Sequence, residues 1–165
     1  MGVAAMPSAA VLAVCTGAAV PFARGSLSGV HKTPVQGRVR VTAQGLQGDA
    51  QGDLRLHGGV EKAVHHYPQE HYAAWRAELG AHALLEAPGA FGENLHSRGL
   101  TEATVCLGDR WRVGDVLLEV TQARQPCWKL NERFGVPDMA RRVQQSRRTG
   151  WYSRVVEDGE LWADA

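Results

Sequence analysis

The residues best placed to do chemistry lie between Gln122 and Asn131, in the run Gln-Ala-Arg-Gln-Pro-Cys-Trp-Lys-Leu-Asn. Arg124 stands three residues before Cys127 and Lys129 two after it, and Pro126 fixes the backbone just ahead of the sulfur. Nearby cations favour the thiolate, the form of cysteine that attacks electrophiles and binds soft metals. Val116 to Val120, the most strand-like run in the chain, directly precedes this stretch and places Arg124 and Cys127 where a strand leaves its sheet. A buried thiol at a strand end beside a solvated arginine fits the same residues.

Three other stretches carry candidate groups. Lys32 and Thr33 set an ammonium beside a hydroxyl on a loop, a pair able to hold a phosphate, although two exposed polar loop residues read the same way. Gly45 to Gly59 contains five glycines and ends in His57-Gly58-Gly59, where the imidazole is uncrowded and the following amides are free to face a ligand; a hairpin corner with an incidental histidine is the alternative. No Gly-Lys-Ser/Thr follows, so this is not a phosphate-binding P-loop. Pro88 to Leu95 brings Phe91, Glu93 and Asn94 together between glycines, which suits a site-lining loop or a turn in which Glu93 and Asn94 cap neighbouring backbone. His65 and His66 in tandem point to opposite sides of any strand and cannot both face one site, and neither is assigned as a metal ligand.

The elements that must position these groups are short. Ala10 to Cys15 reads as a buried strand and Arg38 to Val41 as a half-buried one. Pro68 opens a helix in which Tyr72, Trp75 and Leu79 form an i, i+3, i+7 core stripe that Gly80 stops. Ala103 to Leu107, Arg110 to Val113 and Val116 to Val120 read as strands of a meander turned at Gly108-Asp109 and Gly114-Asp115, with Cys106 an inert buried thiol in the first. Leu130 to Phe134 is one helical turn, Pro137 to Arg148 a helix, and Trp151 to Val156 a last strand.

Whole-chain quantities bound the function. The chain has 165 residues, enough for one domain with a real core; at 44% hydrophobic and 21% charged it is globular. With 18 basic and 17 acidic side chains, no global field points to nucleic acid or to an anionic membrane, so any anion binding is local. Cysteines at 15, 106 and 127 are an odd number without CxxC spacing, which argues for a reducing compartment, the cytosol, rather than a disulfide framework. The apolar run Ala9 to Val20 lacks a basic flank before it and is interrupted by Gly17, so it reads as a strand and not as a signal segment or membrane span.

One ordered set of fragments spans nearly the whole chain: Lys32-Thr33-Pro34-Val35, Gly45-Leu46-Gln47-Gly48-Asp49, His57-Gly58-Gly59 with Glu61-Lys62-Ala63, Gly89 to Leu95, Leu107-Gly108-Asp109, Arg124 to Leu130, and Gly150-Trp151-Tyr152 with Arg154-Val155. In this order they resemble the MOSC domain, named for the C-terminal domain of molybdenum-cofactor sulfurase, and within it the stand-alone bacterial branch associated with resistance to 6-N-hydroxylaminopurine. The resemblance implies a mainly β fold with a few helices, a MOSC-type β-barrel, in a single domain over residues 1–165 with its motif-bearing core at about 9–157. It also implies a molybdopterin-type molybdenum cofactor. By position, Cys127 is the metal ligand, His57 and a carboxylate, Glu61 or Glu93, support it, and Lys32, Thr33 and Arg124 hold phosphate and pterin beside Gly58, Gly59 and Asn94. Ala123 stands where the family pattern has proline, and the chain ends soon after Glu160 whereas longer members continue into a helical part.

Two functions of different class follow. The first is an oxidoreductase that reduces N-hydroxylated small molecules, such as N-hydroxylated nucleobases, to amines, its electrons supplied by a separate flavin or iron–sulfur donor. The second is a sulfur-carrier module that holds a persulfide on Cys127 and passes it to a metal cofactor or cluster. Cofactor binding or delivery without turnover is a third possibility, and a zinc hydrolase lacks an HExxH or paired-cysteine signature.

Overall fold

The computed structural model describes residues 9–50 and 59–164. His57 and Gly58 lie outside the described residues. Along the chain run β1 (Ala10–Thr16), β2 (Val20–Pro21), β3 (Leu27–Ser28), β4 (Thr33–Pro34), β5 (Val39–Thr42), β6 (Gly45–Leu46), β7 (Val64–Pro68), α1 (Glu70–Leu79), β8 (Leu95–Arg98), β9 (Arg110–Val113), β10 (Val116–Ala123), α2 (Trp128–Phe134), α3 (Met139–Ser146), β11 (Trp151–Glu157) and β12 (Gly159–Leu161). The architecture is mainly β with three helices.

Apolar alternation in β10 buries Val116, Leu118 and Val120 on one face of a strand paired on both sides, by β9 at the sheet edge and by β11. Seven strands pair in the order β4-β1-β8-β7-β11-β10-β9, antiparallel except for the parallel pair β7 and β8. A smaller sheet, β12-β5-β6, packs its Val39, Val41, Leu46 and Leu161 against Val11, Val64, Leu95, Val116 and Leu118 of the large one. Tyr67 of β7 joins a second core with Tyr72 and Trp75 of α1, Leu130 and Phe134 of α2, and Met139 and Val143 of α3. The Tyr72-Trp75 stripe is therefore core, as its spacing implies.

The structure departs from the sequence reading at several points. The expected barrel does not close among the described residues: β4 holds only two residues and β9 pairs only with β10, so the large sheet keeps two edges. Ala103 to Leu107 is not a strand. Thr101 and Thr104 bond locally, Thr104 Oγ1 donating to Thr101 O at 3.2 Å, and such side-chain to backbone bonds compete with a ladder. Cys106 is consequently exposed rather than buried. Pro68 ends β7 instead of opening α1, because the next amide, Gln69, completes the ladder by donating to Ser97 O at 2.7 Å. Gly150, at φ 71°, starts β11 hard against β7, where a Cβ would lie 2.4 Å from His66 O.

Leu130 is fully buried between α2 and the large sheet. Leu130→Ala is expected to lower the unfolding free energy by about 2–5 kcal/mol, read as a lower urea midpoint with an unchanged slope. An unshifted midpoint would place Leu130 outside the core.

Candidate functional site

Lys32, His65, Phe91, Arg124, Cys127 and Tyr152, from separate stretches of the chain, line one cleft. β10 delivers its floor: at its end the Arg124 amide donates to Gly150 O at 3.1 Å, and the chain leaves the sheet toward α2. Cys127 takes the position before the first turn of α2, with its carbonyl accepting from Leu130 N at 3.0 Å while its sulfur caps nothing. The half-exposed thiol is thus directed by backbone bonds and not held by one of its own.

The loop opposite is fixed from behind. Glu93, fully buried, accepts from Tyr72 Oη at 2.6 Å, from the Phe91 amide at 3.0 Å and pairs with His96 Nδ1 at 3.1 Å. Burial pushes its pKa up, but the hydrogen bonds from His96 and Tyr72 outweigh that and hold it below the ordinary glutamate range. Arg133 of α2 donates to Ala90 O at 2.8 Å and Gly89 O at 3.1 Å. Gly92, at φ 76°, brings this loop against Val30, where a Cβ would sit 3.1 Å from Cγ2.

Arg124 is 7% exposed, donates from Nη1 to Phe91 O at 3.0 Å, and keeps a buried Nε without a partner. No ion pair of Arg124 or Lys129 occurs among the described residues; Lys129 Nζ donates to Leu27 O at 2.8 Å. Lys32 differs. Its ammonium meets Asp49 Oδ1 at 2.7 Å, both side chains nearly buried, and Asp49 also accepts from Asn94 Nδ2 at 2.9 Å. Asn94 spends its amide on scaffold, accepting from the His65 amide at 2.9 Å and donating to Cys15 O at 3.2 Å. The cleft wall therefore presents uncompensated charge at Arg124 and Lys129, and compensated charge at Lys32.

Of the residues singled out from sequence, Cys127, Arg124, Lys32 and Asn94 share this cleft. Thr33 is exposed in β4 and Glu61 is exposed in the short turn Val60–Lys62, both outside the lining. Gly59, exposed at φ 97°, precedes that turn, and Glu93 lies behind the lining as its anchor. His65 and Tyr152, neither assigned from sequence, line the cleft and are cross-strand partners of β7 and β11. The alternation argument holds, since His66 faces away and bonds Ser97 Oγ. What sequence left undecided was which of the two histidines faces inward.

Burial, with the Arg124 charge in support, drives the His65 pKa down to about 3; burial drives His66 down to about 4. Both stay neutral in the folded protein while unfolded histidines protonate near 6.5, so stability is present above pH 6.5 and is lost as pH falls toward those lower values. His65→Gln is expected to flatten stability against pH between these limits by about 1.4 kcal/mol per pH unit in urea unfolding. An unchanged slope would contradict the buried, neutral assignment. Asp49→Asn leaves the Lys32 ammonium uncompensated and is expected to cost about 3–5 kcal/mol of stability; a loss below about 1 kcal/mol would mean that the pair is solvated.

Residues 53–165 match the MOSC domain family. The protein YiiM of Escherichia coli (strain K12) is 41% identical over 152 residues, covering 92% of this chain and 68% of that protein. A protein named reductase from Gibberella moniliformis is 42% identical over 135 residues, 81% of this chain but 24% of that protein. The crystal structure of YiiM from Escherichia coli superposes with a TM-score of 0.77 at 36% identity, over 96% of this chain and 68% of that one. The cleft that gathers Arg124 and Cys127 at the end of β10 thus sits in a shared fold and a shared sequence: the chain belongs to the MOSC domain family.

Proposed function

We propose that the cleft holds a molybdopterin-type molybdenum cofactor and that the protein is an oxidoreductase that reduces N-hydroxylated small molecules to amines. The observation that carries this reading is the pairing of a half-exposed thiol, Cys127, with a buried arginine that has an unmatched Nε and no acidic partner among the described residues. A soft metal suits the sulfur, and an anionic scaffold suits the cation beside it. Membership of the MOSC family and the reductive name of the fungal relative support the reading.

On this reading Cys127 is the ligand to the metal, and Arg124 and Lys129 meet the phosphate, with Lys32 and Lys62 at the same cleft. When bound, the cofactor supplies two-electron removal of the N-bound oxygen, and its electrons come from a separate flavin or iron–sulfur donor. The chain's part is to bind and orient. Lys32 is steadied by Asp49, Asn94 fixes the loop to β1 and β7, and Glu93 keeps Phe91 and Gly92 at the wall from behind. Glu61 and Thr33 are off the lining, so any support they give reaches the ligand from the rim or through neighbours.

Protein purified from a host that makes the cofactor is expected to carry molybdenum and to yield a fluorescent pterin on oxidation, and Cys127→Ala is expected to lose at least about nine-tenths of the metal, the soft ligand being gone. Molybdenum retained in full by Cys127→Ala would contradict the assignment. A labile sulfur on Cys127 without molybdenum would favour sulfur transfer instead.

A further inference from the structure

Tyr152 faces the cleft and has no part in the reading above. Its ring lies 5.1 Å from that of His65, and the Lys62 ammonium stands 5.7 Å from its centroid. Its backbone is fixed by pairing with His65 and by a hydrogen bond from Thr121 Oγ1 to its carbonyl at 3.1 Å. Its phenol hydroxyl carries one hydrogen to donate. Among the described residues no acceptor takes it. Burial, opposed in part by Arg124, raises the phenol pKa, so the hydrogen is retained at neutral pH.

A rigid donor on the wall that also carries Cys127 needs a ligand atom with a lone pair. An N-hydroxyl oxygen has one and sits at the reacting bond; the amine that replaces it has no oxygen. We propose that the Tyr152 hydroxyl donates to the oxygen of the substrate's N–O group and so selects N-hydroxylated molecules over the amines they become. This rests on the reductive reading above. A site built to hydrogen-bond one substrate group discriminates against the analogue that lacks it, because the polar partner is then left unpaired.

The test compares binding of an N-hydroxylated purine and of the corresponding aminopurine to the purified, metal-loaded protein by calorimetry, in wild type and in Tyr152→Phe, which keeps the ring against His65. Wild type is expected to prefer the N-hydroxylated purine about tenfold, and Tyr152→Phe to bring the ratio close to one. A Tyr152→Phe protein that keeps the wild-type ratio, or a wild type with no preference, overturns the proposal. Loss of molybdenum and pterin from Tyr152→Phe alone assigns the acceptor to the cofactor and overturns the assignment to substrate. Wild-type protein without molybdenum or pterin overturns the underlying reading, and the proposal with it, an outcome recognised from metal and pterin content before any purine is added.

Discussion

The cleft depends on a buried guanidinium that meets no acidic side chain among the described residues. Arg124 leaves β10 with its amide on Gly150 and reaches with its guanidinium to the Phe91 carbonyl, so one residue joins the end of β10, the loop before β8 and the start of β11. A neutral acceptor holds it in place without cancelling its charge, and its Nε is left unmatched. Withdrawing a cation from water without a counter-charge is costly, and the cost is recovered when an anion enters. Lys32, only a short way along the same wall, shows the contrasting arrangement, since Asp49 compensates it within the fold.

Among the described residues the carboxylates build the site and do not line it. Glu93 gathers three donors beneath Phe91 and Gly92, and its charged form is favoured because those donors outweigh its burial. Arg133 grips the same loop by the carbonyls of Gly89 and Ala90. With the loop pinned at both ends, the backbone that faces Cys127 is rigid before any ligand arrives, which lowers the ordering cost of binding.

Much of this was legible in the sequence. An apolar run gave β1, alternation β5 and strand-like runs β10 and β11 to within a few residues, helical spacing gave the core face of α1, and Arg124 and Cys127, singled out where a strand ends, line the cleft. What failed to show depended on partners far away in the chain. Ala103 to Leu107 has strand-like composition, but Thr104 first closes a local turn with Thr101. The inward roles of His65 and Tyr152 follow from the register of β7 on β11, which no local pattern reveals. Glu93 has the chemistry of a catalytic acid, and only the structure shows its oxygens already taken by Tyr72, Phe91 and His96. The barrel expected from resemblance is an open sheet among the described residues, because closure needs longer edge strands than β4 and β9 supply.

The central claim is that the sulfur of Cys127 binds a molybdenum atom whose anionic scaffold rests on Arg124. X-ray absorption at the molybdenum edge tests it most directly, on wild type and on Cys127→Ser protein carrying enough metal to measure. The account predicts one sulfur scatterer fewer around molybdenum in the serine variant, with an oxygen in its place. An identical metal shell in the two proteins would contradict it.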